Sequence, residues 1–175
     1  MNQIALGSLL IMSLLSAFPA RAEKEPMLEA KIEMRVLDFV AEPFDRKDVA
    51  VLYDRANPRS QHDASIILQA LLGSASLARH KFLAKLIELG DLKTIKGLKA
   101  VVVPAFSDDI YDDILRYAIA NRTLVLSIGL DCVKRGRCMV GVATDPEIEI
   151  GVSSANVRKS GIRFDDGFQL MVKEY

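Results

Sequence analysis

The sequence predicts an α/β domain in which one mixed, largely parallel sheet is flanked by helices. Short apolar runs at 49–53, 98–103 and 124–128 have the length and composition of buried strands. Between them lie segments whose apolar residues recur at helical spacing. Alternation of the two kinds is what helices layered on a sheet produce. A third observation makes the sheet mixed: the runs 124–128 and 139–143 are joined by a compact connection containing Gly136 and read as a hairpin.

Residues 4–18 are almost unbroken apolar and lead into Pro19-Ala20-Arg21-Ala22 and the charged Glu23-Lys24-Glu25. That pattern is a secretory signal cleaved after Ala22. The run falls short of the roughly 20 apolar residues that a membrane span needs, and no Cys follows it to carry a lipid. The expected organisation is a signal peptide, 1–22, and one periplasmic α/β domain, 23–175, with no membrane insertion after cleavage.

Residues 23–29 form a polar, mobile lead-in. Leu28, Ile32, Val36, Phe39 and Val40 then share one helical face, with Glu29, Lys31 and Glu33 turned away. Glu42-Pro43 ends that helix, because the residue before proline resists the α conformation. The strand at 49–53 is followed by a loop, 54–59. Ser60 is placed to cap the next helix, with Asp63 in its first turn and Ile66, Ile67, Ala70 and Leu71 facing the core. Gly73 stops it. Residues 74–81 extend that helix or connect it to a strand at 82–89. Gly90-Asp91 and Lys96-Gly97 then punctuate the stretch between 89 and 98.

The run at 98–103 is the clearest strand, closed by Pro104. Ser107, Asp108 and Asp109 open a helix with core positions Ile110, Ile114, Tyr117 and Ala118; acids at its start and bases between Arg116 and Arg122 suit the helix dipole. After the strand at 124–128 and the turn at Asp145-Pro146, Ile148, Ile150 and Val152 alternate with Glu147, Glu149 and Gly151 as in a half-exposed strand. A short helix spans 154–160, closed by Gly161. A final amphipathic helix, 165–173, is expected to bury Phe168, Leu170 and Met171 to varying degrees.

Composition removes several function classes. Lys and Arg number 23 against 23 Asp and Glu, so the formal charge is zero. Loss of 1–22 removes only Arg21 and leaves a slight negative excess. Neither nucleic acid nor an anionic membrane is suggested by that balance. The absence of Trp and an aromatic content of 6% leave little surface for stacking sugars or single strands. There is no phosphate-cradling glycine loop, and Asp108 and Asp109 would repel a phosphate at the helix start after Val103. No cofactor is expected.

Cys132 and Cys138, the only two cysteines, stand at the feet of the basic turn 133–137. Export to an oxidising compartment favours a disulfide between them. The alternatives are redox or sensor thiols, although these usually have the closer Cys-x-x-Cys spacing, free thiols, or a metal pair lacking a nearby His. A disulfide there would hold Lys134, Arg135 and Arg137 in one exposed turn, the candidate partner contact; the plainer reading of that turn is an ordinary solvated one. His62 and His80 sit in no nucleophile motif and read as surface or boundary residues. The acidic cluster Asp108, Asp109, Asp112 and Asp113 lacks the spacing of a calcium loop.

The C-terminal half resembles the YfiR family of periplasmic proteins. The likeness rests on Thr123-Leu-Val-Leu-Ser127, on Arg137-Cys-Met-Val-Gly141, on the strand around 148–152, and on Ala155-Asn-Val-Arg-Lys-Ser-Gly-Ile-Arg-Phe164 ahead of a last helix. The early helix ending in Glu42-Pro43 and the central strand fit the family's layout. Members usually carry Trp-Pro where this chain has Glu42-Pro43, and Gly-Gly where it has Arg135-Gly136, which marks a distant member. The resemblance implies a Rossmann-like domain, a homodimer, a disulfide at Cys132 and Cys138, and no catalytic residues. It also implies a partner: the periplasmic domain of an inner-membrane signalling protein, such as a diguanylate cyclase, whose cyclic-di-GMP output and biofilm formation the protein lowers. The leading expectation is accordingly a non-enzymatic periplasmic regulator. The alternatives are a small-ligand-binding accessory protein for transport or sensing, and a redox-responsive factor.

Overall fold

The computed structural model describes residues 24–41, 48–104, 106 and 108–175. The expected signal peptide and the Glu42-Pro43 helix stop lie outside the described residues. In chain order the elements are α1 (Lys24–Val36), β1 (Asp48–Tyr53), α2 (Pro58–Leu72), α3 (Ala75–His80), β2 (Leu83–Glu88), β3 (Leu98–Val103) and α4 (Asp108–Asn121). After these come β4 (Leu124–Ile128), α5 (Asp131–Lys134), β5 (Val140–Ala143), β6 (Glu149–Val152), α6 (Ser154–Ser160), α7 (Asp166–Gln169) and β7 (Lys173–Glu174).

The strands form one sheet in the order β2-β1-β3-β4-β5-β6-β7. Its first five members are parallel, β6 is antiparallel to β5, and β7 runs with β6. The chain moves outward from β1 to β2, then returns to the other side of β1 and proceeds through β3, β4 and β5. Right-handed crossovers in opposite directions put α2 and α4 on opposite faces. This is the expected α/β fold, a mixed, largely parallel sheet flanked by helices, and its strand order makes it doubly wound. The central strands are the core: every residue of β1 from Val49 to Leu52 and of β3 from Ala100 to Val103 is fully buried.

Local chemistry explains most boundaries. Asn57, not Ser60, caps α2: its Oδ1 accepts from the Arg59 and Ser60 N–H groups at 3.1 and 3.3 Å, and Pro58 occupies the first helical position. Ser60 is instead buried, its hydroxyl accepting from the Asp54 N–H at 3.0 Å. Gly73 ends α2 and Gly161, left-handed at φ 70°, ends α6. The last turn of α4 holds no basic residue, contrary to the dipole argument; Arg122 lies beyond its end.

The structure corrects three further expectations. The runs around 124–128 and 139–143 are not a hairpin, because β4 and β5 are parallel, with Leu126 opposite Val140. The return is made within residues 129–139, a shorter path than the dozen or more residues usual for a parallel crossover. Gly129, left-handed at φ 77°, turns the chain out of β4. Its carbonyl then lies where a Cβ on Gly141 would be only 2.5 Å away, so a bare glycine at 141 is what lets the two segments pass. The antiparallel pair is β5 with β6, across the Asp145-Pro146 turn.

The last segment is likewise not one helix. After four helical residues the chain straightens into β7, and the Tyr175 N–H donates to the Val152 carbonyl at 2.9 Å. Phe168 is buried against Phe164 and Phe39, but Leu170 is 90% exposed and Met171 48%. Finally, α1 begins at Lys24, inside the expected lead-in, and presents a different face. Its buried arc is Glu29, Ala30, Glu33, Met34 and Val36, continued by Leu37 in the turn that follows, whereas Leu28 is exposed and Ile32 only half-buried. Apolar residues cover more than half of this helix's circumference, so the pattern does not single out one face.

Candidate functional site

In open α/β sheets, ligands bind in crevices beyond the carboxyl ends of the strands. Beyond β1, at the point where strand order reverses, the loop is closed on itself. Asp54 Oδ1 accepts from the Ala56 N–H at 2.8 Å, and Arg55 pairs with Glu88 of β2 at 2.6 Å. One strand further on, beyond β3 and β4, the edge opens into a pocket of about 140 Å³. Phe106, Tyr111, Ile128 and Gly129 form its apolar side, and Asp131, Cys132, Arg135 and Arg137 its polar side.

Each wall is held from behind. The Tyr111 hydroxyl donates to the Pro104 carbonyl at 3.0 Å and accepts from the Phe106 N–H at 2.9 Å, setting the two rings edge to face at 5.9 Å. The opposite wall is α5 and its turn, tied by a Cys132–Cys138 disulfide with Cα atoms 5.3 Å apart. Within that ring the Gly136 N–H donates to the Val133 carbonyl and the Arg137 N–H to the Cys132 carbonyl. From α6, buried Asn156 donates to the carbonyls of Gly136 at 2.7 Å and Cys138 at 3.2 Å. The turn is therefore pinned covalently at its feet and by hydrogen bonds at its tip.

The three basic residues of the turn do not act together. Arg135 and Arg137 line the pocket, each with a carboxylate 3.9 Å away, Asp131 and Asp112 respectively. Lys134 faces elsewhere, its ammonium 5.6 Å from the centre of the Tyr175 ring. The pocket thus offers two guanidinium groups, carboxylates beside them and an aromatic flank. That arrangement suits a small polar molecule carrying negative charge. The residues that line the pocket include no His or Ser; His62 is exposed on α2, and the His80 side chain lies outside what is described. Of the acidic cluster, Asp113 is engaged by Lys93 at 3.2 Å and Arg116 at 2.8 Å, and the hydrogen bond from Lys93 draws its carboxyl below the ordinary range. Among the described residues no group of three or more His, Cys, Asp or Glu could hold a metal ion.

A second concavity, about 410 Å³, runs between α1, β6 and the C-terminal segment. Ile32, Arg35 and Val36 form one side, Ile148 and Ile150 the other, and Phe168 and Met171 the end. Ile148 is 63% exposed, so this groove is an apolar surface facing water. Sequence reasoning missed Phe106 and Tyr111 as pocket walls and Asn156 as the clamp. Only Asn156 left a trace, as a polar residue at a core position of the short helix after Val152.

No family model matches the chain, and no curated protein matches it. Solved structures do share its fold. A conserved domain protein from Vibrio cholerae superposes with a TM-score of 0.61 at 11% identity, over 83% of this chain and 59% of that one. An ABC domain from Streptococcus pneumoniae in complex with L-Trp gives 0.60 at 9% identity, over 83% and 60%. The ligand-free, open structure of a substrate-binding protein with adhesive properties from Clostridium difficile gives 0.53 at 11%, over 75% and 55%. At these identities the likeness is one of fold, and the chain spans less than two thirds of each of those proteins. Among the described residues, no helix is long and apolar enough to cross a membrane.

Proposed function

We propose that this chain is a non-enzymatic, periplasmic binding domain that takes a small, negatively charged ligand in the pocket beyond β3 and β4, as an accessory to transport or sensing. The observation that carries the reading is the pocket itself: Arg135 and Arg137 converge there on a turn fixed by a disulfide and by Asn156. Prior fixing matters because a ligand that finds its partners already ordered is spared the cost of ordering them. The fold shared with an L-Trp-bound domain and a substrate-binding protein supports the same class of role.

The test is a thermal-shift screen of the purified chain against small organic acids and amino acids, followed by calorimetric titration. A ligand at a hundredfold excess over its Kd adds about 2.7 kcal/mol of stability. The expected outcome is a hit whose shift disappears in an Arg135→Ala/Arg137→Ala variant that still folds. A hit unaffected by that double change places binding elsewhere and sinks the pocket assignment.

A second reading draws on the groove between α1 and β6. Its exposed Ile148 and Met171 are what a protein partner would cover. On this reading the chain is a regulator, as the resemblance to the YfiR family implies, acting on the periplasmic domain of an inner-membrane signalling protein such as a diguanylate cyclase. Such a regulator shifts its partner only through unequal affinity for the partner's two states. Capture of a purified cyclase periplasmic domain, abolished by Ile148→Asp, is the expected result; capture that survives it removes the groove from consideration.

A further inference from the structure

Glu33 occupies the middle of the face that α1 turns to the sheet. None of its surface is exposed, and neither carboxylate oxygen has a hydrogen-bond partner. Glu29, one turn earlier, is 8% exposed, and its Oε1 accepts from the N–H and hydroxyl of Thr144, just beyond β5, at 3.2 and 3.5 Å. Among the described residues, the elements packed on α1 bring Glu33 no compensating charge. Strands β4 and β5 contain no titratable residue, and the buried side of α2 is Ser60, Ala64, Ile67, Ala70 and Leu71. Asp38, in the turn after α1, is bound by Ser76 and by Arg79 of α3, each at 3.0 Å. The His80 side chain, at the end of α3, lies outside what is described. Among the described residues, the charge that acts on Glu33 is that of Glu29, of the same sign.

An ionised carboxylate with no partner cannot stay in such a place: it keeps its proton or moves to water. Glu33 sits at the centre of a helix face, so it reaches water only if the helix moves. We propose that Glu33 makes the seating of α1 proton-dependent, the neutral acid keeping the helix on the sheet and its ionisation as pH rises lifting the helix away. Burial, reinforced by Glu29, raises the Glu33 carboxyl well above its ordinary range, in the sense this requires. Because Ile32, Arg35 and Val36 form one side of the apolar groove, lifting α1 also dismantles that groove. The proton is then a ligand that decides whether the surface exists.

The test is hydrogen exchange followed by mass spectrometry on the whole chain, from about pH 5.5 to about pH 9, with each rate divided by its intrinsic value and β3 as internal reference. The expected result is that protection of α1 falls by about tenfold or more relative to β3 across that range. Glu33→Gln, which keeps the shape and cannot ionise, should hold α1 protected throughout. Constant protection in the unmutated chain, or an unchanged pH response in Glu33→Gln, overturns the proposal. A second measurement needs no variant: infrared spectra of the unmutated chain in D2O should show a protonated-carboxyl band that disappears in step with α1 protection. Loss of protection without loss of that band overturns it equally.

Discussion

At the scale of single residues, two polar side chains are buried for opposite reasons. Asn156 is buried with its amide N–H groups in use, donating to two carbonyls of the disulfide turn. Asn156→Ala leaves both carbonyls without that donor, and should cost about 1–3 kcal/mol, read as a lower denaturation midpoint at unchanged slope. Glu33 is buried and unused. Its folded carboxyl lies above the ordinary value of 4.5, so between the two values the folded state holds a proton that the unfolded state has released. The stabilisation is complete below about pH 4.5 and is lost as pH rises through the folded value. Stability measured by urea titration should therefore fall from acid towards neutral and alkaline pH. Glu33→Gln should flatten that fall and be the more stable protein at its alkaline end.

At the scale of elements, what the sequence disclosed depended on how many environments a pattern allows. The run at 98–103 became β3 residue for residue, because six consecutive apolar or stem-rich side chains before Pro104 suit little except a doubly covered strand. Val49 to Tyr53 behaved the same way, with Asp48 added at its start. The runs flanking the cysteines did not, since apolar–turn–apolar is written alike for a hairpin and for a very short parallel crossover. What separated them was the Gly129–Gly141 contact, a long-range fact. The face of α1 was misjudged because two glutamates occupy its buried arc, against their usual solvation cost. Of the site, the disulfide was legible from Cys132 and Cys138. The basic turn read as one exposed surface of Lys134, Arg135 and Arg137, and only the fold turns the two arginines towards a pocket. The aromatic wall was not legible, since only the fold brings Phe106 and Tyr111 to that turn. Caps offer a direct check at this scale: Asn57→Ala should destabilise by about 1 kcal/mol, whereas Ser60→Ala should act through its buried bond to Asp54 rather than through the helix start.

At the scale of the whole molecule, the sheet has two unlike halves. The parallel half, β2 to β5, carries the deep core and the pocket at its carboxyl edge; the half made by β6 and β7 is short, bears the groove, and ends in Tyr175. There the Tyr175 hydroxyl donates to Glu149, and that bond, with Lys173 beside it, holds the Glu149 carboxyl below its ordinary range. The disulfide lies in the parallel half, in the crossover between β4 and β5. Replacing both cysteines by serine should lower global stability by about 2 kcal/mol and leave the far-ultraviolet circular dichroism unchanged. Loss of that spectrum at room temperature would show that the bond is required for the fold itself.

The two sulfurs are only six positions apart, within a segment that needs no distant strand to bring them together. Oxidation is therefore open to them while the remainder of the chain is still uncoiled. The tightest passage in the topology can enter folding as a ready-made ring, around which β4 and β5 have only to align.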